Sequence, residues 1–243
     1  MINRDVVCSC ERTHHCTIKY LQIERGALNA LPQAVSDYSH ILVVADNNTY
    51  PLCGDRVCNL LGEKLDGICT FYSEDFLVPN EESIAKVESF MNEHTDLILG
   101  IGSGVINDLC KYVAYMHNIP SGIIASAPSM DGYASPGAAM ILRGMKVTVT
   151  ANAPALIIGD VDILRAAPME MIRAGYGDII GKYSALCDWK LSALINGEYF
   201  CHYVYDTVLQ KTNEIRSLAK ALTNRDTETI KLLIHIHLQS LFF

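Results

Sequence analysis

A glycine-rich turn at residues 100–104 is the segment of this sequence best suited to bind a phosphate. The apolar run at residues 97–101 is typical of a buried strand, and a helical pattern follows in which Asn107 and Asp108 suit the helix start. The three glycines of the turn allow the backbone to bend sharply and to approach a ligand. Unpaired N–H groups at such a helix start favour an anion. A tight strand-to-helix turn without a ligand is the alternative.

Two later segments place a carboxylate among small residues. Residues 126–139 are rich in Ser, Ala, Pro and Gly around Asp131, a composition that suits packing around a sugar or a nicotinamide ribose. The alternative there is a loop with solvated polar groups. Residues 175–183 hold three glycines, which cost helix stability, and Asp178 among apolar neighbours. Close approach to a ligand would explain both features; a solvent-facing Asp near a helix start is the alternative.

The N-terminal segment contains zinc-ligand types at Cys8, Cys10, His14, His15 and Cys16. Their spacing is not that of a zinc finger, and no second pair follows at the proper distance. We therefore expect an ordered arm with free thiols rather than a structural zinc site.

The remaining cysteines bear on the compartment. The chain has nine cysteines and no apolar signal core at its start, so reduced thiols in a cytoplasmic protein are expected. Four of the cysteines lie in apolar patterns typical of core positions: Cys58, Cys69, Cys110 and Cys187.

Alternating strands and helices must position these groups. The sequence predicts five buried strands, at residues 41–45, 68–72, 97–101, 122–125 and 155–160, separated by helical segments. This alternation favours a parallel sheet covered by helices, an α/β fold in which ligands bind at the carboxyl ends of the strands. Asp46, the glycine turn and residues 126–131 all follow strands, so a nucleotide site is predicted where they meet. Asp46 precedes the glycines and a third glycine of the fingerprint is missing, so this is not an ordinary dinucleotide-binding fingerprint.

Composition limits the function further. The chain has 243 residues, of which 50% are hydrophobic and 19% charged, enough for one large domain or two modest ones. Its net charge of -8 argues against nucleic-acid binding, and no apolar run approaches the ~20 residues of a membrane span. The helical pattern after Asp160 predicts a domain boundary there, giving an α/β domain at 1–160 and an all-helical domain at 161–243.

Three segments in register carry a family resemblance. They are Gly-Ile-Gly-Ser-Gly-Val-Ile-Asn-Asp-Leu at 100–109, Ala-Pro-Ser-Met-Asp-Gly-Tyr-Ala-Ser at 127–135 and Gly-Tyr-Gly-Asp-Ile-Ile-Gly-Lys-Tyr at 175–183. The combination resembles the glycerol-1-phosphate dehydrogenases of the iron-containing alcohol dehydrogenase and dehydroquinate synthase-like superfamily. The resemblance extends to about Ile230, and Cys8-Ser9-Cys10 looks like the bacterial members.

The resemblance implies a two-domain enzyme that interconverts dihydroxyacetone phosphate and sn-glycerol 1-phosphate. Its α/β domain would bind NAD or NADP, and its helical domain would hold a divalent metal, zinc or nickel. Asp131 would contact the substrate, and Asp178 would be both the first metal ligand and a substrate contact. The implied cofactor contacts are Gly102, Gly104, Val105, Ile106, Asn107 and Asp108 at the pyrophosphate, and Ser126, Ala127, Pro128, Ser129 and Ser135 on the nicotinamide side.

Asp46 is our candidate for the adenosine ribose. Its charge would disfavour a 2′-phosphate, which predicts NAD over NADP. A homo-oligomer with a small phosphorylated substrate, without nucleic-acid or membrane partners, is expected.

The C-terminus departs from the family pattern. Family members continue into a His-rich motif that supplies two metal ligands, whereas residues 234–243 do not resemble it. His235 and His237 are two residues apart, so on a helix they do not share a face and are not expected to join Asp178 together. A truncated or frameshifted product, with marginal stability or self-association, is the expectation.

Three other functions stay open from the sequence. A glycerol dehydrogenase acting on the unphosphorylated substrate would have a similar nucleotide-binding half. A non-catalytic nucleotide-binding remnant would explain the missing histidines. A redox-sensing or metal-storage role through the nine cysteines is the third.

Overall fold

The computed structural model describes residues 6–74 and 76–239. The strands are β1 (Val6–Val7), β2 (Thr13–His14), β3 (Tyr20–Glu24), β4 (Ile41–Asp46), β5 (Leu65–Phe71), β6 (Leu97–Gly102), β7 (Ser121–Ala125), β8 (Gly137–Leu142), β9 (Met145–Thr150) and β10 (Leu156–Asp160). The α-helices are α1 (Leu31–Ala34), α2 (Tyr50–Leu61), α3 (Glu81–Glu88), α4 (Gly104–Met116), α5 (Val161–Ala166), α6 (Met169–Ile180), α7 (Lys182–Asn196), α8 (His202–Ser217), α9 (Ala219–Thr223) and α10 (Thr227–Gln239).

Six strands form one parallel sheet in the order β3-β10-β7-β6-β4-β5. The four inner strands are buried along nearly their whole length, since each is a short continuous run of apolar and small residues. This confirms the predicted α/β class, with a parallel sheet covered by helices.

The order of the strands reverses between β4 and β6. From β4 the chain moves outward to β5, then returns to place β6 on the other side of β4. Val44 pairs with Gly100, so Asp46 and Gly102 end the two strands at nearly the same level. A crevice at such a reversal is where open α/β sheets bind ligands. The sheet therefore brings two of the predicted site residues to one edge.

Local signals in the sequence set several turns. Asn80 caps α3, where its side-chain oxygen accepts a 3.0 Å hydrogen bond from the N–H of Ser83. Strands β8 and β9 form a hairpin, since they pair antiparallel around Arg143 and Gly144, both at positive φ.

The helices after residue 160 pack on one face of the sheet. Buried residues of α6, α8 and α10, among them Ile179, Ile215 and Leu233, share a continuous apolar core with Ile98 and Ile123 of the sheet. The division at residue 160 stays a prediction. Among the helices of the described ranges, none combines the length and the apolar character needed to cross a bilayer.

The cysteines predicted for the core differ in burial. Cys69 and Cys110 are buried and Cys58 is half-buried, but Cys187 is exposed on α7. The prediction for Cys187 is wrong because its apolar neighbours in the sequence lie on the outer side of a helix, where Leu191 is also exposed.

Candidate active site

The glycine turn presents free space at the start of α4. The helix begins at Gly104, three residues before the predicted start at Asn107, and the N–H of Asn107 donates the first helical hydrogen bond to the Ser103 carbonyl at 2.9 Å. The N–H groups of Gly104, Val105 and Ile106 therefore precede the helical ladder and suit an anion.

Two glycines of the turn are needed for different reasons. A Cβ added to Gly102 would lie 2.5 Å from the Cβ of Ile106, so packing of strand on helix requires a glycine there. A Cβ added to Gly104 would meet nothing within 4 Å. Space rather than packing surrounds Gly104, as a phosphate site at this turn requires.

The side chains of Asn107 and Asp108 hold the adjacent loop. The amide nitrogen of Asn107 donates to the Gly132 carbonyl at 3.1 Å, and Asp108 accepts a 3.1 Å bond from the N–H of Ala139. Their predicted contacts with a cofactor stay predictions, and any such contact has to be made alongside these bonds.

Lys111 is a buried cation that the sequence analysis missed. Its Nζ lies 2.8 Å from Asp108 and donates to the carbonyls of Gly132, Ser135 and Gly137. Burial lowers the pKa of Lys111, and the Asp108 carboxylate opposes that shift. The signal in the sequence that could have identified it is the position of this lysine inside an apolar helical segment.

The loop on the predicted nicotinamide side is fixed by short-range bonds. The N–H of Ser126 donates to the Gly102 carbonyl at 3.0 Å, and the buried Tyr133 hydroxyl donates to the Ala127 carbonyl at 2.7 Å. The hydroxyl oxygen of Ser135 accepts a 2.9 Å bond from Gly137. The loop therefore begins beside Gly102, at the end of β6, and is held by its own hydrogen bonds.

Asp131 and Asp178 meet at the far end of this loop. Oδ2 of Asp178 accepts a 2.8 Å bond from the N–H of Asp131, and Lys182 forms an ion pair with the Asp131 carboxylate. Burial raises the pKa of the Asp178 carboxyl, and the charge of Asp131 raises this pKa further. The carboxylates of Asp131 and Asp178 and the ammonium group of Lys182 thus lie close together and half-buried. The next residue, Gly132, connects them to α4, since its carbonyl accepts hydrogen bonds from that helix.

The predicted close approach in the 175–183 segment occurs at Gly175, and the neighbour is backbone rather than a ligand. A Cβ on Gly175 would lie 1.8 Å from the Pro128 carbonyl oxygen. Helix α6 therefore packs directly on the loop, which is what brings Asp178 to Asp131. Gly177 has open space around it.

Asp46 ends β4 and also caps a turn. Its Oδ1 accepts 2.8 Å bonds from the N–H groups of Asn48 and Thr49, just before α2. Its side chain is half-buried at the reversal point of the sheet. A ribose contact there stays a prediction.

The described residues do not complete a three-ligand metal site at Asp178. Within residues 6–74 and 76–239, ligand atoms of three or more His, Cys, Asp or Glu side chains gather elsewhere, at the N-terminal arm. His237 is fully buried, and its Nε2 is 3.0 Å from the Gly175 carbonyl. The role of Asp178 as a metal ligand therefore stays a prediction.

Two curated relatives of this chain carry the same name. A curated glycerol-1-phosphate dehydrogenase (NAD(P)+) from Halalkalibacterium halodurans is 35% identical over 205 residues, covering 82% of this chain and 51% of the relative. One of the same name from Geobacillus thermodenitrificans is 30% identical over 239 residues, covering 95% and 59%. The chain thus spans between half and three fifths of the length of these relatives.

Solved structures share the fold. The crystal structure of glycerol dehydrogenase from Schizosaccharomyces pombe superimposes with a TM-score of 0.73 at 19% identity, covering 93% of this chain and 60% of that one. A probable glycerol dehydrogenase from Sinorhizobium meliloti gives 0.75 at 17% identity, with 93% and 64% covered. The sequence model of one family, described as iron-containing alcohol dehydrogenase, matches residues 22–168. This match covers more than half of the chain and includes the sheet and the glycine turn, and it shows that the chain belongs to the iron-containing alcohol dehydrogenase family.

Proposed function

We propose that this chain carries the nucleotide and substrate elements of an NAD(P)-dependent sn-glycerol-1-phosphate dehydrogenase. The observation that supports this most is the contact between Asp178 and Asp131, which lies in the loop that is hydrogen-bonded to Gly102 of the glycine turn. The names of the curated relatives support the same activity.

Bound NAD(P)H would supply the hydride that reduces the carbonyl carbon of dihydroxyacetone phosphate, and a proton from solvent would convert the ketone oxygen to the hydroxyl of sn-glycerol 1-phosphate. The N–H groups at Gly104, Val105 and Ile106 would hold the pyrophosphate, and the loop around Ser126 and Ser135 would hold the nicotinamide side. The positive charge of Lys182 favours a phosphorylated substrate, and Asp131 and Asp178 orient its hydroxyl groups.

The nucleotide and metal preferences are finer parts of this proposal. Asp46 at the sheet reversal favours NAD, because its carboxylate would repel a 2′-phosphate. Zinc or nickel would polarise the substrate oxygen as a Lewis acid when bound. Asp178 would contribute one carboxylate to it.

The test measures NADH oxidation with dihydroxyacetone phosphate and with dihydroxyacetone, in the presence of zinc or nickel. We expect kcat/KM to be at least ~10-fold higher with the phosphorylated substrate and Lys182→Met to remove most of that preference. Equal rates would favour the glycerol dehydrogenase alternative.

A non-catalytic nucleotide-binding role is the second candidate. It is favoured by the finding that the described residues gather no three-ligand set around Asp178. Calorimetry that detects NADH binding, together with no turnover on either substrate at any metal concentration, would select it.

Location and assembly are also proposals. All nine cysteines lie within the described residues and outside any disulfide, which fits a reducing cytoplasm. Leu191, Leu194 and Ile195 are exposed together on α7, which fits a homo-oligomer. Analytical ultracentrifugation of the chain and of Leu194→Glu tests the second point, and we expect the variant to shift toward monomer.

A further inference from the structure

Four metal-ligand side chains from distant parts of the sequence meet beside the N-terminal hairpin. Cys8 and Cys10 lie in the turn between β1 and β2, His14 ends β2, and Cys201 immediately precedes α8. All four ligand atoms lie within 4.8 Å of one another. His14 and Cys201 are buried, and the other two are half-buried.

Three distances between ligand atoms are close to those of a tetrahedral zinc site. The sulfurs of Cys8 and Cys201 are 3.5 Å apart, and Nε2 of His14 is 3.5 Å from the Cys10 sulfur and 3.6 Å from the Cys201 sulfur. Zn–S bonds of ~2.3 Å and Zn–N bonds of ~2.0 Å at tetrahedral angles imply S···S and S···N separations of ~3.8 and ~3.5 Å. We propose that Cys8, Cys10, His14 and Cys201 bind one Zn²⁺ in a closed Cys₃His site.

Neighbouring side chains support the ligands. The hydroxyl of Tyr199 donates to the Cys10 sulfur at 3.1 Å, and Trp189 donates to the Tyr199 carbonyl at 2.8 Å. The Arg12 guanidinium lies 3.6 Å from the centre of the Tyr199 ring. Zinc with three thiolates and a neutral imidazole carries one negative charge, so a nearby guanidinium and a hydroxyl donor are suitable outer partners.

The environment also favours a metal over unbound thiols. Cys201 is fully buried in a small apolar cluster with Leu186, Val204 and Val208. Cys8 and Cys10 pack against this cluster. Three thiols and an imidazole in an apolar environment form only weak hydrogen bonds with one another. One Zn²⁺ would coordinate all four side chains as each thiol releases its proton.

A disulfide between Cys8 and Cys201 is the competing chemistry. It would require the sulfurs to move from 3.5 Å to ~2.05 Å and would leave Cys10 and His14 without a role. The gathering of all four ligand atoms within 4.8 Å of one another therefore favours zinc.

A closed site would serve structure rather than catalysis. The zinc ion would join the N-terminal arm to the start of α8, because its ligands Cys8 and Cys201 are 193 residues apart in the chain. The same arm, with Tyr199 and Ala134, lines a cavity of about 500 Å³, so the zinc would fix one wall of it. This inference does not depend on the proposed dehydrogenase activity.

The test is the zinc content of the full chain after exhaustive dialysis, measured by plasma mass spectrometry. We expect about one zinc ion per chain in the unmodified protein, with at least ~10-fold less in His14→Gln and Cys201→Ser. The matched controls His15→Gln and Cys187→Ser should keep it, since neither residue is a member of the four-ligand set. Asp178→Asn should also keep it, which separates this site from any ion in the candidate active site.

A second measurement covers variants that fail to fold. In the unmodified protein, Cys8, Cys10 and Cys201 should resist alkylation until a chelator is added, whereas the exposed Cys187 should react at once. Cobalt should give the intense visible bands of a tetrahedral thiolate site. Absence of zinc, zinc retained in both ligand variants, or a Cys8–Cys201 disulfide in freshly purified protein would overturn the proposal.

Discussion

Oδ2 of Asp178 accepts a 2.8 Å hydrogen bond from the backbone N–H of Asp131, which lies 47 residues earlier in the chain. The bond is made where α6 passes so close to Pro128 that position 175 has room only for glycine. Packing of one helix on one loop thus assembles the candidate catalytic pair.

Replacing Asp178 by Asn should separate stability from activity. Asn keeps an acceptor for the Asp131 N–H but removes a half-buried charge next to another carboxylate. We expect turnover to fall ~100-fold or more, while the free energy of unfolding stays within ~1 kcal/mol or rises.

The pH dependence of that variant gives an independent check. Because the folded-state pKa of Asp178 is raised, its contribution to stability is present below its ordinary pKa and is lost as the pH rises through the raised value. The difference in unfolding free energy between Asp178→Asn and the unmodified chain should therefore grow from pH 4 toward neutral pH. A constant difference in urea titrations would contradict the assigned electrostatics.

Two glycine-to-alanine variants should affect different properties, NADH binding in one and stability in the other. Gly104→Ala should fold normally, since the added Cβ meets nothing within 4 Å, but should weaken NADH binding ~10-fold or more by blocking the backbone approach. Gly175→Ala would place a Cβ 1.8 Å from the Pro128 carbonyl oxygen and should destabilise the fold by several kcal/mol, about 3 or more. Calorimetry measures the affinity for NADH, and thermal unfolding measures the stability of each variant. Unchanged NADH affinity in Gly104→Ala would show that the pyrophosphate does not bind at this turn.

The nucleotide preference can be tested at Asp46. Asp46→Asn keeps the oxygen that accepts from Asn48 and Thr49 and removes the charge, whereas Asp46→Gly removes both. Both variants should raise the ratio of kcat/KM for NADPH over NADH by ~10-fold. Only the glycine variant should lose stability, by ~1 kcal/mol. If neither variant changes the ratio, Asp46 does not contact the ribose.

Lys111→Met should destabilise the loop beside the glycine turn. The substitution leaves Asp108 without its cation and three carbonyls without their shared donor, so a loss of ~3 kcal/mol is expected. Lys146→Met on the exposed face of β9 is the matched control. Equal stability of the two variants in urea titrations would show that the buried pair is not required.

Acid sensitivity should be traceable to His237. Burial lowers the pKa of His237 to about 4, opposed by Asp131 and reinforced by Lys182. The stability it contributes is present above its ordinary pKa near 6.5 and is lost as the pH falls toward 4, by ~2 kcal/mol at pH 5. His237→Leu should lose less stability than the unmodified chain between pH 7 and pH 5, and a similar variant of the exposed His94 should not. An identical loss in all three proteins would count against this assignment.

Much of the α/β part was predictable because its signals are local. Continuous apolar runs specify the inner strands, glycines mark the turn before α4, and Asn80 and Arg143-Gly144 set a cap and a hairpin through their own backbone chemistry. The start of α4 was misplaced by three residues because Asn107 is a typical capping residue, yet its amide is used to bind Gly132.

The parallel sheet, the position of the glycine turn and the family resemblance could all be predicted from the sequence, because each depends on residues close together in the chain. Which distant groups meet is visible in the tertiary structure alone. It brought Asp178 to Asp131 through the helix packed at Gly175, made Lys111 a buried loop anchor, and placed Cys201 beside Cys8, Cys10 and His14 of the N-terminal arm. Such contacts depend on how helices pack on the sheet, and that packing is fixed by side-chain volumes across the whole core rather than by any local pattern.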